Sequence, residues 1–305
     1  MKAFVGVTDN DWYDFLSREP ELDEVNFWQP GGKTQFKALE LGQPFLFKLK
    51  APRNVIAGGG FFSYSSIMPL GLAWAAFERK NGTATFEELA RLIGSKKGGK
   101  VGYGDHIGCI MLRDPFFFDQ RDWFPAPDFP QAVVVGKGFD LTTSVGQVLW
   151  REVEQRLPRA RGMRPRVAEP MGPTLGGYGL SRRRLGQGVF CARITDLYGR
   201  RCAVTREKAL PVLQAAHIRP IHKGGEHRLD NGLLLRSDVH RLFDDGYVTI
   251  TPKYEFRVSD ELRKEFDDGE TYRPFKGHRI WTPEEAAFRP SSEFLEWHND
   301  EIFLG

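Results

Sequence analysis

The sequence predicts an α+β protein with two domains and a basic connector between them. Three features support this prediction: a β-rich stretch with helical insertions over residues 1–150, an arginine-rich stretch with Pro and Gly over 151–186, and a strand–loop–strand–helix pattern within 187–305. The chain has 305 residues, of which 41% are hydrophobic. That length and apolar content suffice for two compact cores.

Composition excludes several classes of protein. No stretch approaches the roughly 18 consecutive apolar residues that read as a membrane span. Asp9 follows the N-terminus too closely for the apolar core of a signal peptide to form. The scattered Cys109, Cys191 and Cys202 form no disulfide framework pattern and suit a reducing compartment. We therefore expect a cytoplasmic protein with no membrane partner.

Residues 1–150 contain several aromatic or β-branched runs bounded by Gly or Pro, which predict strands. The predicted strands are 3–7, 44–50, 55–64 and 107–113. The predicted helices are 9–18, 70–81 and 85–94. In the last of these, Thr85 can cap the N-terminus, while Phe86, Leu89 and Ile93 fall on one stripe. The N-terminal half is thus a sheet with helical insertions.

Aromatic residues in this half lie beside glycines, as in Asn26-Phe27-Trp28 and Gly58-Gly59-Gly60-Phe61-Phe62. Aromatic side chains in strands are usually core residues. A glycine run, however, weakens a strand unless another backbone or a ligand approaches closely. Glycines beside paired aromatics also suit a pocket that stacks a flat ring.

The order of Asn26-Phe27-Trp28, Gly42-Gln43-Pro44-Phe45-Leu46-Phe47 and the glycine-rich strand resembles the PUA superfamily, chiefly its EVE and ASCH branches and more distantly the SRA domain. This resemblance implies a small β-barrel-like domain over residues 1–150 that binds modified or flipped bases. By the same resemblance, the side chains first expected to stack a base are Trp28, Phe61, Phe62 and Tyr64.

Positive charge is concentrated in the predicted connector. Residues 1–150 carry 16 Lys and Arg against 17 Asp and Glu, whereas residues 156–186 carry eight arginines against Glu169 alone. One interpretation is a solvated linker. The other is an arm that neutralises DNA phosphates, with the triplet Arg182, Arg183 and Arg184 as contacts. Composition leaves both open.

The richest pattern lies at residues 210–248. An apolar strand ends at His217, a loop with two glycines follows, and a second strand starts at Asn231. A short helix comes next, for which Ser237 is a suitable N-cap and Gly246 a suitable stop. His240 and Asp244 are four residues apart on this helix, so that their side chains share one face.

These residue types suit phosphodiester hydrolysis, which needs a base to activate water and a divalent ion to stabilise developing charge. His217, at a strand end, can be the base. A His and an Asp one helical turn apart can bind one metal, and Asn231 can fix the loop through backbone hydrogen bonds.

The Ala-His-Ile-x-Pro start, the Gly-Gly loop, the Asn-Gly-Leu-Leu-Leu return and the His-x-x-x-Asp helix resemble the HNH nuclease family. The resemblance implies a ββα-metal fold that binds one divalent ion, Mg, Mn or Ni. It implies that His217 is the general base, Asn231 the loop-fixing asparagine, His240 a metal ligand and Asp244 a further ligand. The basic residues expected to contact double-stranded DNA here are Arg219, Lys223, Arg236 and Arg241.

Two departures from the family pattern matter. Ala216 stands where many members have a metal-binding Asp, so either Asp244 compensates or His222 or His227 completes the site. The Cys-x-x-Cys pairs that bind structural zinc in many members are also missing, because Cys202 has no cysteine three residues later. We therefore expect no structural zinc.

Together the two halves predict a modification-dependent restriction enzyme, in which the N-terminal domain reads a modified base and the C-terminal domain cuts nearby. One nuclease site per chain favours a homodimer or sequential nicking. Two alternatives stay open: a non-cleaving nucleic-acid-binding protein whose metal site is degraded at Ala216, and a nuclease that acts on RNA or as a toxin.

Overall fold

The computed structural model describes residues 1–130, 132–160, 186–266 and 270–305. The chain divides into two compact units, Met1–Arg183 and Arg184–Gly305. None of the described helices combines the length and apolar character that a bilayer crossing requires.

The N-terminal unit is built on a seven-stranded mixed sheet. Its strands are β1 (Lys2–Thr8), β2 (Glu24–Gln29), β3 (Pro44–Leu49), β4 (Val55–Pro69), β5 (His106–Phe117), β6 (Phe124–Pro125) and β7 (Gly136–Asp140). The order is β2-β5-β4-β3-β1-β7, with β6 paired to β4. Only the β1–β3 pair is parallel among these described pairings. Strands β4 and β5 extend beyond their predicted ends because they pair with each other as far as Pro69 and His106.

The barrel predicted for this unit is not confirmed. Among the described residues, β2 and β7 end the hydrogen-bonded path and no backbone pairing joins them. Residues from β2 and residues just before β7 instead line the same cavity, so that a gap separates the two edges. The unit is a mixed α+β structure with one large open sheet.

In the described part of this unit, four α-helices accompany the sheet: α1 (Asn10–Leu16), α2 (Leu70–Phe77), α3 (Phe86–Lys97) and α4 (Ser144–Ala160). Helix α3 begins as predicted, with the Thr85 hydroxyl accepting a hydrogen bond from the Glu88 amide at 3.3 Å. The Glu88 carboxylate in turn accepts from the Ala84 amide at 3.0 Å. This reciprocal cap satisfies two amide groups at the helix start.

Helix α4 corrects the predicted start of the connector at residue 151. The helix runs to Ala160 and buries Leu149, Trp150, Val153 and Leu157, which recur at helical spacing. Its Arg159 pairs with Asp122 at 2.6 Å, so this arginine belongs to the folded unit. The rest of the predicted connector, including Arg182, Arg183 and Arg184, lies outside the described residues.

The C-terminal unit has a ββα centre. Its elements are α5 (Gln187–Leu197), β8 (Leu213–His217), β9 (Gly232–Arg236), α6 (Ser237–Asp244), β10 (Val248–Ile250), β11 (Phe256–Val258), α7 (Glu261–Phe266) and α8 (Ser292–Glu301). Strands β8 and β9 form an antiparallel hairpin in which His217 lies opposite Gly232. A side chain at Gly232 would lie 2.4 Å from Ile194, so glycine here lets α5 pack across the hairpin.

The cap of helix α6 lies one residue earlier than predicted. Ser237 is the first helical residue and Arg236 occupies the cap position without a side-chain cap bond. The predicted stop is correct, since Gly246 follows the helix with φ +82°, a conformation that glycine adopts at little cost. Val239 and Phe243 are buried against the rest of the unit.

Candidate active site and a second cavity

His217 ends strand β8 and packs flat against Phe190 of α5. The ring centroids are 4.1 Å apart and the ring planes differ by 8°. Its Nε2 lies 2.9 Å from Nδ1 of His227, so the two imidazoles share one hydrogen bond. Burial, followed by the nearby His227 and His240, lowers the pKa of His217 to about 4. The imidazole is therefore neutral at pH 7 and able to accept a proton.

Asn231 holds the loop that follows His217. Its side chain is fully buried. The Oδ1 atom accepts from the Arg219 amide at 2.9 Å, while Nδ2 donates to the carbonyls of Arg219 and Glu226 at 3.0 and 2.9 Å. One side chain thus joins both ends of the loop.

Gly225 allows this loop to fold back on itself. A Cβ atom at this position would lie 1.9 Å from the Arg219 carbonyl oxygen, far inside van der Waals contact. The Gly225 amide also donates to the Pro220 carbonyl at 3.0 Å. Only glycine fits so close to another backbone, which explains the Gly-Gly pattern after His217.

His240 and Asp244 lie side by side on α6, with Nε2 and Oδ2 3.4 Å apart. The Nδ1 of His240 is 2.8 Å from Oε1 of Gln214 on β8. Because a carbonyl oxygen only accepts, Nδ1 carries the proton and Nε2 presents a lone pair toward Asp244. Burial lowers the pKa of His240, which favours this neutral form.

This pair fits two ligands of one divalent cation. Two acceptors that face each other at 3.4 Å repel unless a proton or a cation lies between them. Gln214 fixes the imidazole orientation from behind, as an outer hydrogen-bond partner does for metal-binding histidines. His240 and Asp244 would therefore hold the cation.

His217 shares one cavity of about 470 Å³ with His240 and Asp244, and His222 and Lys223 also line it. Within the described parts of the chain, no three His, Cys, Asp or Glu side chains are placed to share a metal ion. Ala216, at the position of the missing acid, is buried. His227 contacts His217, the candidate base, and is absent from the lining of this cavity.

The hairpin, the loop and α6 lie in a segment that matches a known protein family. Residues 202–251 match the family model of the HNH endonucleases. This segment is an HNH endonuclease domain. The predicted HNH endonuclease is thereby confirmed, and the match ends at Thr251, before α7 and α8.

Comparison of the whole chain with other proteins does not extend this assignment. A solved structure of a modification-dependent TagI restriction endonuclease is similar over 98% of this chain and 81% of that chain, at 14% identity and a TM-score of 0.29. A TM-score this low does not establish a shared fold. No curated protein matches the chain significantly.

The basic residues predicted to contact DNA differ in how they are engaged. Arg219 and Lys223 both lie over the ring of Trp297 on α8, at 5.2 and 5.8 Å from its centroid. Arg236 forms a two-point ion pair with Asp238 at 2.6 and 2.7 Å, which already uses its hydrogen-bonding edge. Arg241 is 78% exposed and pairs with Asp245 at 2.7 Å. Of these four residues, Lys223 lines the cavity of the candidate active site, and Arg219 lies over the same Trp297 ring.

The N-terminal unit contains a larger cavity, of about 950 Å³, which we call the aromatic cavity. Its walls include Trp12, Phe27 and Trp28. Four lysines and one acid also line it, namely Lys33, Lys50, Lys96, Lys97 and Asp9. The indole Nε1 of Trp28 donates to the Asn81 carbonyl at 2.9 Å, which fixes the ring in place. This combination of flat rings and positive charge suits an anionic ligand with a planar group.

The other aromatic residues predicted to stack a base do not line the aromatic cavity. Phe61 lies in the core beneath the sheet, 5% exposed, with its ring 6.1 Å from Phe116. Phe62 packs against Phe36, with ring centroids 5.7 Å apart. Tyr64 is half-buried and absent from the cavity lining. The glycine run beside them lets the neighbouring strand β5 approach closely, because a Cβ at Gly58 would lie 2.3 Å from the Phe116 carbonyl oxygen.

Sequence reasoning missed three side chains of the candidate active site. Gln214 is hydrogen-bonded to His240, and Phe190 stacks on the ring of His217. Trp297 provides the ring over which Arg219 and Lys223 lie. Gln214 alone left a signal, as a polar residue within an otherwise apolar strand. The other two act through tertiary contacts that no local pattern reveals.

Proposed function

We propose that this protein is a metal-dependent endonuclease that cuts double-stranded DNA close to a modified base read by its N-terminal unit, and that it acts in the cytoplasm as a restriction enzyme. The observation that carries the nuclease half is the single cavity lined by His217, His240 and Asp244 inside an HNH endonuclease domain.

His217 acts as the general base. Its pKa of about 4 leaves it neutral at pH 7, and its ring is held between Phe190 and His227. A fixed, neutral imidazole can take a proton from water as the water oxygen bonds to phosphorus and the bond from phosphorus to the leaving sugar oxygen breaks; the leaving oxygen gains a proton from solvent. His240 and Asp244 would hold Mg, Mn or Ni, and the bound ion would supply positive charge against the charge that develops on the phosphate. Lys223 lines the same cavity and Arg219 lies over the same Trp297 ring, so both are placed to neutralise neighbouring phosphates.

The aromatic cavity takes the modified base. Trp28 supplies a fixed ring, and the lysines along the cavity attract the flanking phosphates. A base can reach such a site only by leaving the duplex, because its faces are covered in the stack. Recognition of a base outside the helix therefore fits a cavity of about 950 Å³ better than groove reading does.

Cleavage by the full chain tests the nuclease half. Duplexes with plain cytosine, 5-methylcytosine or 5-hydroxymethylcytosine are incubated with Mg, Mn or Ni, and RNA of the same sequence forms a fourth arm. We expect the wild-type chain to cleave a modified duplex. His217→Ala should cleave it about 10²- to 10⁴-fold more slowly than wild type and bind the DNA equally well. His278→Ala, an exposed histidine of the same unit, is the matched control. Preferential cleavage of RNA would overturn the DNA assignment.

A second candidate is a protein that binds DNA without cutting it. Buried Ala216 and the two-residue ligand set favour it. In that case no metal would produce cleavage, and His217→Ala would behave as wild type in every assay.

Substitution of Trp28 tests the reader half. Trp28→Leu removes the ring, whereas Trp28→Phe keeps a ring and loses only the hydrogen bond to Asn81. Since stacking contributes about 1–3 kcal/mol per base, we expect Trp28→Leu to lose about tenfold in affinity for the modified duplex and Trp28→Phe to retain most of it. Trp74→Leu, outside the cavity lining, is the control. Equal affinity of all variants for modified and plain DNA would contradict a base reader.

One HNH site cuts one strand at a time, so we also propose a homodimer for double-strand cleavage. Light scattering on the DNA complex measures whether two chains bind one modified site.

A further inference from the structure

Two neighbouring valines stand exposed at the aromatic cavity. Val134 is 78% exposed and Val135 57% exposed, and Val134 is the most exposed large hydrophobic side chain in the described part of the chain. Both line the aromatic cavity, together with Trp28 of β2. Single exposed apolar residues are common on proteins, but an adjacent pair at the edge of a cavity marks a surface that meets a partner.

The backbone holds these valines firmly in place. The Val135 carbonyl accepts from the Val7 amide of β1 at 2.9 Å, and the Val133 amide donates to the Pro130 carbonyl at 3.1 Å. Lys137 Nζ then ties the start of β7 to the Asp128 carboxylate at 2.8 Å. The valine side chains are therefore presented from an anchored backbone.

The charge beside the valines identifies the kind of partner. Lys33, Lys50, Lys96 and Lys97 line the same cavity. Asp9, the one acid among its lining residues, pairs with Lys50 at 3.1 Å and with Lys96 at 2.8 Å, so the lining keeps a smaller net positive charge. A positively charged surface with exposed apolar side chains at its edge suits a polyanion that also has an apolar interior. Duplex DNA has this character, because its base stack lies between two rows of phosphates. Apolar side chains of moderate size enter such a stack as wedges at kinked or opened steps.

Building on the proposed base reader, we propose that Val134 and Val135 form a wedge that enters the base stack of duplex DNA where a base leaves for the aromatic cavity. Extrusion of a base leaves a gap between its neighbours, and contact with water there is unfavourable for the exposed base faces. The valines fill the gap and bury their own apolar surface, which stabilises the extruded state.

Binding of the full-length chain to two duplexes tests the wedge. Both contain one 5-methylcytosine or 5-hydroxymethylcytosine, whichever the wild-type chain binds more tightly, and the base is paired in one duplex and opposite an abasic site in the other. The variant is V134S/V135S, and Val148→Ser, an exposed valine of α4 outside the cavity, is the control. We expect the double variant to lose about tenfold in affinity for the paired duplex and less than about threefold for the abasic duplex, where stacking is already disrupted.

Each other outcome overturns the wedge. Equal losses on both duplexes would mean an ordinary contact, and no loss would mean no contact. A changed oligomeric state in light scattering, with DNA affinity kept, would assign the valines to a contact between copies. If the wild-type chain itself does not distinguish modified from plain DNA, the proposed reader fails and the wedge with it. If the wild-type chain does distinguish them, and the variant loses affinity equally for both duplexes or for neither, only the wedge fails.

Discussion

Protonation of His298 is expected to destabilise the C-terminal unit, which contains the candidate metal ligands. His298 lies on α8, 2% exposed, with its ring stacked on Phe243 at a centroid distance of 3.7 Å. Nε2 is 2.9 Å from the Phe243 carbonyl and Nδ1 is 2.8 Å from the Thr249 hydroxyl. Because the carbonyl only accepts, Nε2 carries the proton and Nδ1 accepts from Thr249. A second proton on Nδ1 therefore displaces the hydroxyl hydrogen and places a charge in the core.

The size of the effect follows from proton linkage. Burial lowers the pKa of His298 to about 4, whereas an unfolded histidine titrates near 6.5. Between these values the unfolded chain binds more protons than the folded chain, so the free energy of unfolding falls as the pH falls. The contribution is fully present above about pH 7.5, and roughly 2 kcal/mol of it is lost at pH 5.

Urea unfolding of the full chain at pH 8, 7, 6 and 5 measures this loss, with the transition of the C-terminal unit assigned by hydrogen exchange of α6 amides. His298→Gln removes the titrating group, and comparison with wild type cancels contributions from other histidines. Wild type should lose about 2 kcal/mol more than the variant between pH 8 and pH 5. The reasoning is refuted if the two pH profiles run parallel within about 0.5 kcal/mol.

Three further predictions concern the loop after His217. Asn231→Ala should lower the free energy of unfolding by about 3 kcal/mol, measured by urea titration, because the three hydrogen bonds of a fully buried side chain are lost. Asn231→Asp should cost at least as much, because its buried carboxylate would face the carbonyl oxygens of Arg219 and Glu226. His227→Ala should slow cleavage by about tenfold at saturating metal without weakening metal binding; a weaker metal affinity by calorimetry would instead make His227 a ligand. Gly225→Ala should lower the melting temperature, against no change for Gly99→Ala, because only the first clashes with backbone.

The limits of prediction from sequence are clear in helix α4. Its buried stripe of Leu149, Trp150, Val153 and Leu157 is regular, yet arginines and Pro158 beside it resemble a linker. Burial against the sheet outweighs that local pattern, as tertiary packing commonly does. The open sheet was missed for a related reason, because the pairing of β2 with β5 joins residues some eighty positions apart. Sequence order does not report such contacts.

The candidate active site was predictable where its geometry is local. A strand end places His217, and the four-residue spacing of a helix brings Asp244 to 3.4 Å from His240. The hydrogen bond from His240 to Gln214 depends instead on how α6 packs on β8. Motif spacing thus supplies the reacting groups, whereas their orientation comes from the packed domain.

The gap between the edges of the N-terminal sheet has a consequence for how this chain can evolve. Among the described residues no backbone ladder joins β2 to β7, so strand pairing does not fix the width of the cavity that residues at both edges line. Substitution of a few side chains that line the cavity can admit a larger ligand while every strand keeps its hydrogen-bonding partners. Under the proposed function, a change of base modification in foreign DNA can then be matched by substitutions in the N-terminal unit alone, with the HNH domain unchanged.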